Sequence, residues 1–135
     1  MKVLIDTNVI LAGLCKREGF FEDADKIFKL CEVKKIEGSI SALSISNLVY
    51  IMRKELDAEK IKEVLQQLSL IFKITDLKAD DLKKAADMNF KDYEDALQSV
   101  CAVRLKANYI ITRNIKDFTY SKVMAIKPSE LLERL

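Results

Sequence analysis

The apolar positions of this chain alternate between short uninterrupted runs and longer stretches in which they recur every three or four residues. The short runs predict buried strands, and the recurring positions predict amphipathic helices. Predicted strands lie at residues 3–5, 39–41, 71–75, 109–112 and 123–126. Predicted helices begin near residues 9, 20, 43, 57, 80, 92 and 128, and the helix over 92–106 has the most regular apolar face.

This alternation of strands and helices predicts the fold class. Short strands without a polar face belong in a parallel sheet that is covered on both sides and connected by right-handed crossovers. We therefore expect an α/β protein with a single three-layer α/β/α domain and a short-stranded parallel sheet over residues 1–135. Because ligands bind beyond the carboxyl ends of the strands in such folds, polar residues directly after the strands are candidate site residues.

Composition narrows the class of protein. Half of the residues are apolar and a third are charged, as in globular proteins in water. The net charge of +2 is too small to indicate a nucleic-acid partner by itself. The three cysteines are odd in number and far apart, which favours free thiols in a reducing compartment. With no window of about 18 uninterrupted apolar residues, we expect a cytoplasmic protein that does not bind a membrane.

The chain contains no histidine, and this excludes zinc–histidine sites and Ser-His-Asp catalysis. Three aspartates are the alternative source of chemistry: Asp6 follows the first predicted strand, Asp95 lies in the first turn of the helix over 92–106, and Asp117 follows the fourth strand. The predicted topology brings all three to one edge of the sheet. Clustered carboxylates raise one another's pKa unless a cation neutralises them. Oxygen ligands without His or Cys select Mg²⁺ or Mn²⁺, which serve phosphate chemistry.

Simpler structural roles remain open for these acids. Asp6 could cap the helix that follows it, and Asp117 could belong to an ordinary surface turn. Asp92 is well placed as the N-cap of the helix over 92–106, and we favour that role. For Asp95, which is followed directly by apolar residues, we favour the metal site, and we expect Glu94 to be solvated.

Three motifs resemble those of PIN-domain nucleases, and within that family they look most similar to the VapC-like toxin branch. The motifs are VLIDTN at 3–8, DYEDALQ at 92–98 and YIITRNIKDF at 109–118. Members of this branch cleave RNA with Mg²⁺ or Mn²⁺ and are silenced by an antitoxin protein. The resemblance implies that the three aspartates are the catalytic, metal-binding acids. It also implies supporting polar residues beside the metal, namely Asn8, Thr112 and Asn114.

One position departs from the pattern of that family. The family usually places a Glu on the helix after the second strand, where this chain has Asn47. An Asn side chain offers an oxygen ligand but no charge, so we expect Asn47 to be a weaker ligand and the site to bind metal less tightly or to hold a single ion. Asp92 could supply the missing charge, which would raise its role above capping. A plain helix-surface amide is the alternative for Asn47.

An RNA substrate needs basic residues near the acids, because contacts to phosphates provide most of the affinity. The candidates are Arg113, Lys116 and Arg53, although a solvated side chain is the simpler explanation for any one of them. The resemblance further implies an antitoxin partner and a homodimer. Candidate residues for the dimer contact, each of which could equally belong to the core, are Phe20, Phe21, Leu70 and Phe72.

Three hypotheses follow for the function. The first is an endoribonuclease dependent on Mg²⁺ or Mn²⁺ that hydrolyses RNA phosphodiester bonds as the toxin of a toxin–antitoxin pair. The second, motivated by Asn47, is a catalytically weak or inactive PIN-like protein that binds RNA or another partner. The third is a housekeeping nuclease of RNA processing or DNA repair.

Overall fold

The computed structural model describes residues 1–135 and contains one parallel sheet of five strands. The strands are β1 (Lys2–Ile5), β2 (Glu37–Ser41), β3 (Lys73–Thr75), β4 (Tyr109–Ile111) and β5 (Ala125–Ile126). Their order across the sheet is β3-β2-β1-β4-β5, and every neighbouring pair is parallel. The predicted short-stranded parallel sheet is therefore confirmed.

Seven α-helices and one short 3-10 helix connect or follow the strands. The helices are α1 (Thr7–Leu14), α2 (Phe21–Glu32), α3 (Ala42–Met52), α4 (Ala58–Ile71), α5 (Ala79–Ala86), α6 (Tyr93–Leu105) and α7 (Pro128–Glu133), and the 3-10 helix spans Ile115–Phe118. The expected boundary of the third strand was wrong by two residues. Ile71 and Phe72 end α4, because the Phe72 N–H continues the helical pattern with a hydrogen bond of 2.8 Å to the Leu68 carbonyl oxygen.

The sheet has helices on both faces, as a three-layer fold requires. On β1, Val3 and Ile5 pack into the larger core, which is completed by side chains of α1, α2, α3, α4 and α7. Leu4 points to the opposite face and packs with Cys101 and Ala102 of α6. Since strands buried on both faces carry no polar alternation, the uninterrupted apolar runs of the sequence correspond to this arrangement.

Close packing on the sheet face that carries the larger core explains why position 38 is a glycine and where Phe72 lies. A Cβ atom at Gly38 of β2 would lie 2.6 Å from the Cys31 sulfur and 3.0 Å from the Phe72 ring. Any side chain at this position would therefore collide with α2 and with the end of α4. Phe72 is 3% exposed and packs edge-on against Phe28, with ring centroids 5.1 Å apart. Phe72 therefore belongs to the core, whereas Leu70, another of the dimer candidates, is 78% exposed.

The strand order determines where a ligand can bind. From the central β1 the chain builds outward to β2 and β3 on one side, and later to β4 and β5 on the other. The crevice outside the carboxyl ends of β1 and β4 is the topological switch point, at which open α/β sheets bind their ligands. The Asp6 N–H donates to the Ile111 carbonyl oxygen at 2.9 Å, so the residues that follow β1 and β4 lie side by side.

No helix of the protein combines the length and the apolar character that are needed to span a bilayer.

Candidate metal centre

Asp6 stands at the carboxyl end of β1 and is the N-cap of α1. Its Oδ1 accepts the Thr7 N–H at 2.9 Å, and its Oδ2 accepts the Thr112 hydroxyl at 2.8 Å. Capping and membership of the site were weighed as alternatives from the sequence, but the structure combines them. The cap hydrogen bond orients the carboxyl group of Asp6 toward the residues that follow β4.

Thr112, directly after β4, is fully buried and organises the neighbouring polar residues. Besides donating to Asp6, its hydroxyl oxygen accepts the Asn114 N–H at 3.1 Å and the Asn8 side-chain amide at 3.4 Å. The Asn8 Oδ1 in turn accepts the Arg113 N–H at 3.3 Å. All three predicted supporting residues thus surround the switch point, although Asn114 contributes its backbone and its side chain is exposed.

Asp95 lies in the first turn of α6, half-buried and close to the other acids. Burial and then the charges of Asp92, Asp6, Asp117 and Glu94 raise the pKa of Asp95 to about 7. The same interactions act on Asp6: burial raises its pKa, hydrogen bonds lower it in part, and the charge of Asp117 raises it again. Asp6 and Asp117 are therefore close enough to Asp95 for their charges to disfavour its ionisation.

Asp117 lies on the 3-10 helix and is exposed, and the next residue anchors it. Phe118 is 4% exposed and packs in the smaller core with Leu4 and Ile110. The anchor fixes the segment that carries Asp117 against the sheet. The sequence did not predict the 3-10 helix, because a single turn of four residues has no periodicity to detect.

Two polar residues of the site were missed from the sequence, Gln98 of α6 and Ser44 of α3. The Gln98 Nε2 donates to the Ser44 Oγ at 2.9 Å and to the Asp6 Oδ1 at 3.4 Å, while the Thr7 hydroxyl donates to Ser44 at 2.8 Å. Gln98 is only 3% exposed, and its Oε1 has no hydrogen-bond partner. A Gln among the apolar positions of the most regular helix was the available signal, because a buried amide needs a specific partner.

Asn47 and Asp92, the weaker ligand candidates, both contact Glu94. Asp92 is the N-cap of α6, as favoured, and its Oδ1 accepts the Glu94 N–H at 2.8 Å. The Asn47 Nδ2 donates to the Glu94 Oε2 at 3.4 Å. Glu94 is exposed as expected, but its carboxylate lies beside the site and is not solely solvated.

The donor set fits a hard divalent cation such as Mg²⁺ or Mn²⁺. It consists of the carboxylate oxygens of Asp6, Asp95 and Asp117 together with the unpartnered amide oxygen of Gln98, and burial and neighbouring negative charge raise the pKa of Asp6 and of Asp95. No three acidic or thiol side chains already meet in the arrangement of a preformed metal-binding group. A bound cation would therefore have to draw the side chains of Asp6, Asp95 and Asp117 closer together.

The structure separates the basic candidates. Lys116 is exposed on the 3-10 helix next to Asp117. The Arg113 guanidinium stacks over Phe20, with 3.5 Å from its central carbon to the ring centroid, and faces a cavity of about 200 Å³ that Lys127 also lines. Arg53 caps the far end of α3, about 14 Å along the axis from Ser44 at the rise of about 1.5 Å per residue, so it is not brought to the acids.

A parallel sheet in this order, with an acidic centre at the carboxyl ends of β1 and β4, defines the protein as an α/β domain built around a candidate site for a divalent cation. Residues 2–116 match the family described as PIN domain. The chain belongs to the PIN domain family, which confirms the resemblance predicted from the three motifs.

Individual relatives extend this likeness to the VapC-like branch. Ribonuclease VapC1 of Aquifex aeolicus (strain VF5) is 26% identical over 138 residues, covering 98% of this chain and 94% of that protein. Solved structures with the same fold include VapBC2 of Rickettsia felis bound to a promoter DNA fragment (TM-score 0.72, 18% identity, 94% of this chain and 98% of that chain). They also include a toxin–antitoxin complex from Klebsiella pneumoniae (TM-score 0.71, 20% identity, covering 93% of this chain and 97% of that chain).

Proposed function

We propose that this protein is an endoribonuclease dependent on Mg²⁺ or Mn²⁺ that acts as the toxin of a toxin–antitoxin pair. The observation that carries the proposal is the placement of Asp6, Asp95 and Asp117 around the switch point of the sheet, where the charges of Asp6 and Asp117 help to raise the pKa of Asp95 to about 7. The relative named as a ribonuclease supports RNA as the substrate. Solved structures of toxin–antitoxin complexes with the same fold support an antitoxin partner.

In this proposal the three aspartates are the catalytic, metal-binding acids, with Asn47 and Asp92 as weaker contributors. The Thr112 hydroxyl and the Thr7 N–H hold the two carboxylate oxygens of Asp6 in fixed directions. Asp95, whose pKa is raised to about 7, would bind the cation as a carboxylate and release its proton to solvent. A cation held by Asp6, Asp95 and Asp117 would supply an activated water and stabilise the leaving oxygen of the phosphodiester.

The remaining parts of the proposal concern the surroundings of the site. Arg113 and Lys116 flank the segment that carries Asp117 and contact RNA phosphates, whereas Arg53 plays at most a remote part. Leu70, which is 78% exposed, and Phe20, which is 45% exposed, are the remaining strong candidates for a homodimer contact. We place the protein in the cytoplasm, where its RNA substrate is found, as a single PIN-like domain over residues 1–135.

The test uses labelled single-stranded RNA with the purified protein and Mn²⁺. We expect cleavage that stops on addition of EDTA and falls about 10²-fold or more in Asp6→Asn, because one group that acts on the transition state commonly contributes that much. Asp80→Asn is the matched control: Asp80 is exposed, pairs with Lys84 at 3.0 Å on α5, and its loss leaves cleavage unchanged. Cleavage that persists under chelation, or in Asp6→Asn, would identify a contaminating nuclease and remove the proposal.

The absence of a Glu at Asn47 motivates one second candidate, an RNA-binding protein that does not cut. Its signature in the same experiment is RNA that is retained by the protein, in a salt-dependent manner, and stays intact with Mn²⁺. A small DNA-binding protein encoded next to this chain, which binds it and blocks cleavage, would separate the toxin from a housekeeping nuclease.

A further inference from the structure

We infer that Glu94 of α6 supplies the carboxylate that the PIN pattern places on α3, and that Asn47 is a positioning residue that holds Glu94 beside the site. The inference rests on the proposed metal-dependent function and specifies the ligands of that same site. It changes the interpretation of Asn47 from a weakened ligand to the partner of a ligand that belongs to another helix.

The first support is the way in which α3 and α6 face each other. Ser44 and Asn47 are three residues apart on α3, and Gln98 and Glu94 are four residues apart on α6, so each pair lies on one face of its helix. Gln98 contacts Ser44 at 2.9 Å, and Glu94 contacts Asn47 at 3.4 Å. The two contacts follow one another along the same pair of facing helix surfaces, one of α3 and one of α6. Because Gln98 also reaches Asp6 at 3.4 Å, this face of α6 is the one that borders the site.

The second support is the charge of the two partners. The Asn47 side chain uses its Nδ2 as the donor, and the Glu94 Oε2 is the acceptor. A Glu at position 47 would instead place two carboxylates against each other, and like charges at this distance disfavour ionisation. An amide at 47 and a carboxylate at 94 are therefore compatible, and the site keeps one negative charge at this place.

The third support is an unused acceptor beside the same acids. The Gln98 Oε1 is unpartnered in a side chain that is only 3% exposed, and its amide group lies against Asp6 and Ser44. Buried polar atoms in native proteins are almost always paired. A cation held by the acids around Gln98 would offer this oxygen a partner.

Asp92, the other acid that could replace the missing Glu, already uses one of its two carboxylate oxygens as a helix cap. It is the N-cap of α6, and its Oδ1 accepts the Glu94 N–H at 2.8 Å. The cap interaction directs the Asp92 side chain to the end of the helix. The Glu94 side chain makes no cap hydrogen bond, and its partner is Asn47 of α3.

The test titrates Mn²⁺ into the full-length protein without RNA and follows the signal of free Mn²⁺ by electron paramagnetic resonance. We expect Glu94→Gln to weaken Mn²⁺ binding about tenfold, in the range known for groups that support a metal site. The double variant Asn47→Glu with Glu94→Gln moves the carboxylate back to α3 and restores the affinity to within about threefold of the wild type. Glu63→Gln, which removes an exposed acid of α4, leaves the affinity unchanged.

The outcomes separate this inference from the proposed function. If Asp6→Asn abolishes Mn²⁺ binding while Glu94→Gln binds as tightly as the wild type, the metal site stands and the role of Glu94 is refuted. If Glu94→Gln weakens binding and the double variant fails to recover it, Glu94 is a ligand but does not replace the acid of α3. If the wild-type protein binds no Mn²⁺, the proposed function fails and the inference fails with it.

Discussion

Asp95 is a residue of the candidate site whose surroundings oppose folding. Its half-buried carboxyl group lies among four other acids, and burial together with those charges raises its pKa to about 7. In the unfolded chain an Asp titrates near about 3.9. Between these two pH values the folded protein must keep a proton that the unfolded chain releases, so this residue opposes folding increasingly as the pH rises.

We therefore predict that Asp95→Asn stabilises the metal-free protein at pH 8 by about 1–2 kcal/mol. The figure is well below the full conversion of the rise in pKa, at about 1.4 kcal/mol for each unit, because solvent screens a half-exposed group. The gain should become small at pH 4, where the carboxyl group is neutral in the folded protein and already about half neutral in the unfolded chain. Urea unfolding in EDTA at the two pH values measures it. Equal effects at pH 4 and pH 8 would show that the charges around Asp95 are weaker than the structure indicates.

At the scale of elements, α6 carries Glu94, Asp95 and Gln98, and an ion pair with α5 holds it in place. The Arg104 guanidinium of α6 donates to both oxygens of Asp81 at 2.9–3.1 Å and reaches Asp76 at 3.1 Å. Burial alone would raise the pKa of Asp81, which is 2% exposed, but the hydrogen bonds from Arg104 and the Lys78 N–H bring it below the ordinary value. The pair is therefore a satisfied buried contact that fixes one helix against the other.

Arg104→Met should lower the free energy of unfolding by about 3 kcal/mol at pH 7, because it leaves the Asp81 carboxylate buried without its partner. Lys84→Met is the control, since it breaks an exposed pair with Asp80 and should cost about 0.5 kcal/mol or less. Asp81 contributes to the free energy of unfolding at pH values above the pKa that it has in the unfolded chain. This contribution is lost as the pH falls through the lower pKa that Asp81 has in the folded protein. Denaturant unfolding at pH 7 that shows the same loss for both variants would contradict this role of the pair.

At the scale of the whole molecule, the candidate site joins segments that are distant along the chain. Asp6 follows β1, Asp95 belongs to α6 and Asp117 follows β4, so a cation that binds all three links the centre of the sheet to a helix on one of its faces. The unfolded chain cannot hold these acids together. Binding of a cation should consequently stabilise the fold as a whole.

We expect Mn²⁺ at a hundred times its dissociation constant to add about 2.7 kcal/mol of stability. For a domain of this size that is a rise of roughly 5–10 °C in the unfolding temperature. Asp6→Asn should unfold at the same temperature with and without Mn²⁺, as measured by circular dichroism. A similar rise in both proteins would mean that the ion stabilises them somewhere other than the candidate centre.

Much of the fold could be predicted because its signals are local. The apolar runs of β1 and β4, the periodicity of α6 and the capping position of Asp92 are each readable within a few residues. The pattern of strands and helices then implied a parallel sheet, and this placed Asp6 and Asp117 at one edge. Element ends were less certain: Phe72 was assigned to a strand, although it ends α4, because an apolar β-prone residue suits both.

The sequence by itself determined the elements, the layered sheet and which acids follow which strands, because periodicity and chain order are properties of neighbouring residues. Only the tertiary structure decided that Gln98 contacts both Asp6 and Ser44, that Asn47 contacts Glu94, and that Arg53 is remote from the acids. These contacts depend on the rotation of α3 and α6 about their axes and on how the helices pack on the sheet. Side chains from segments some fifty residues apart meet only after that packing is complete.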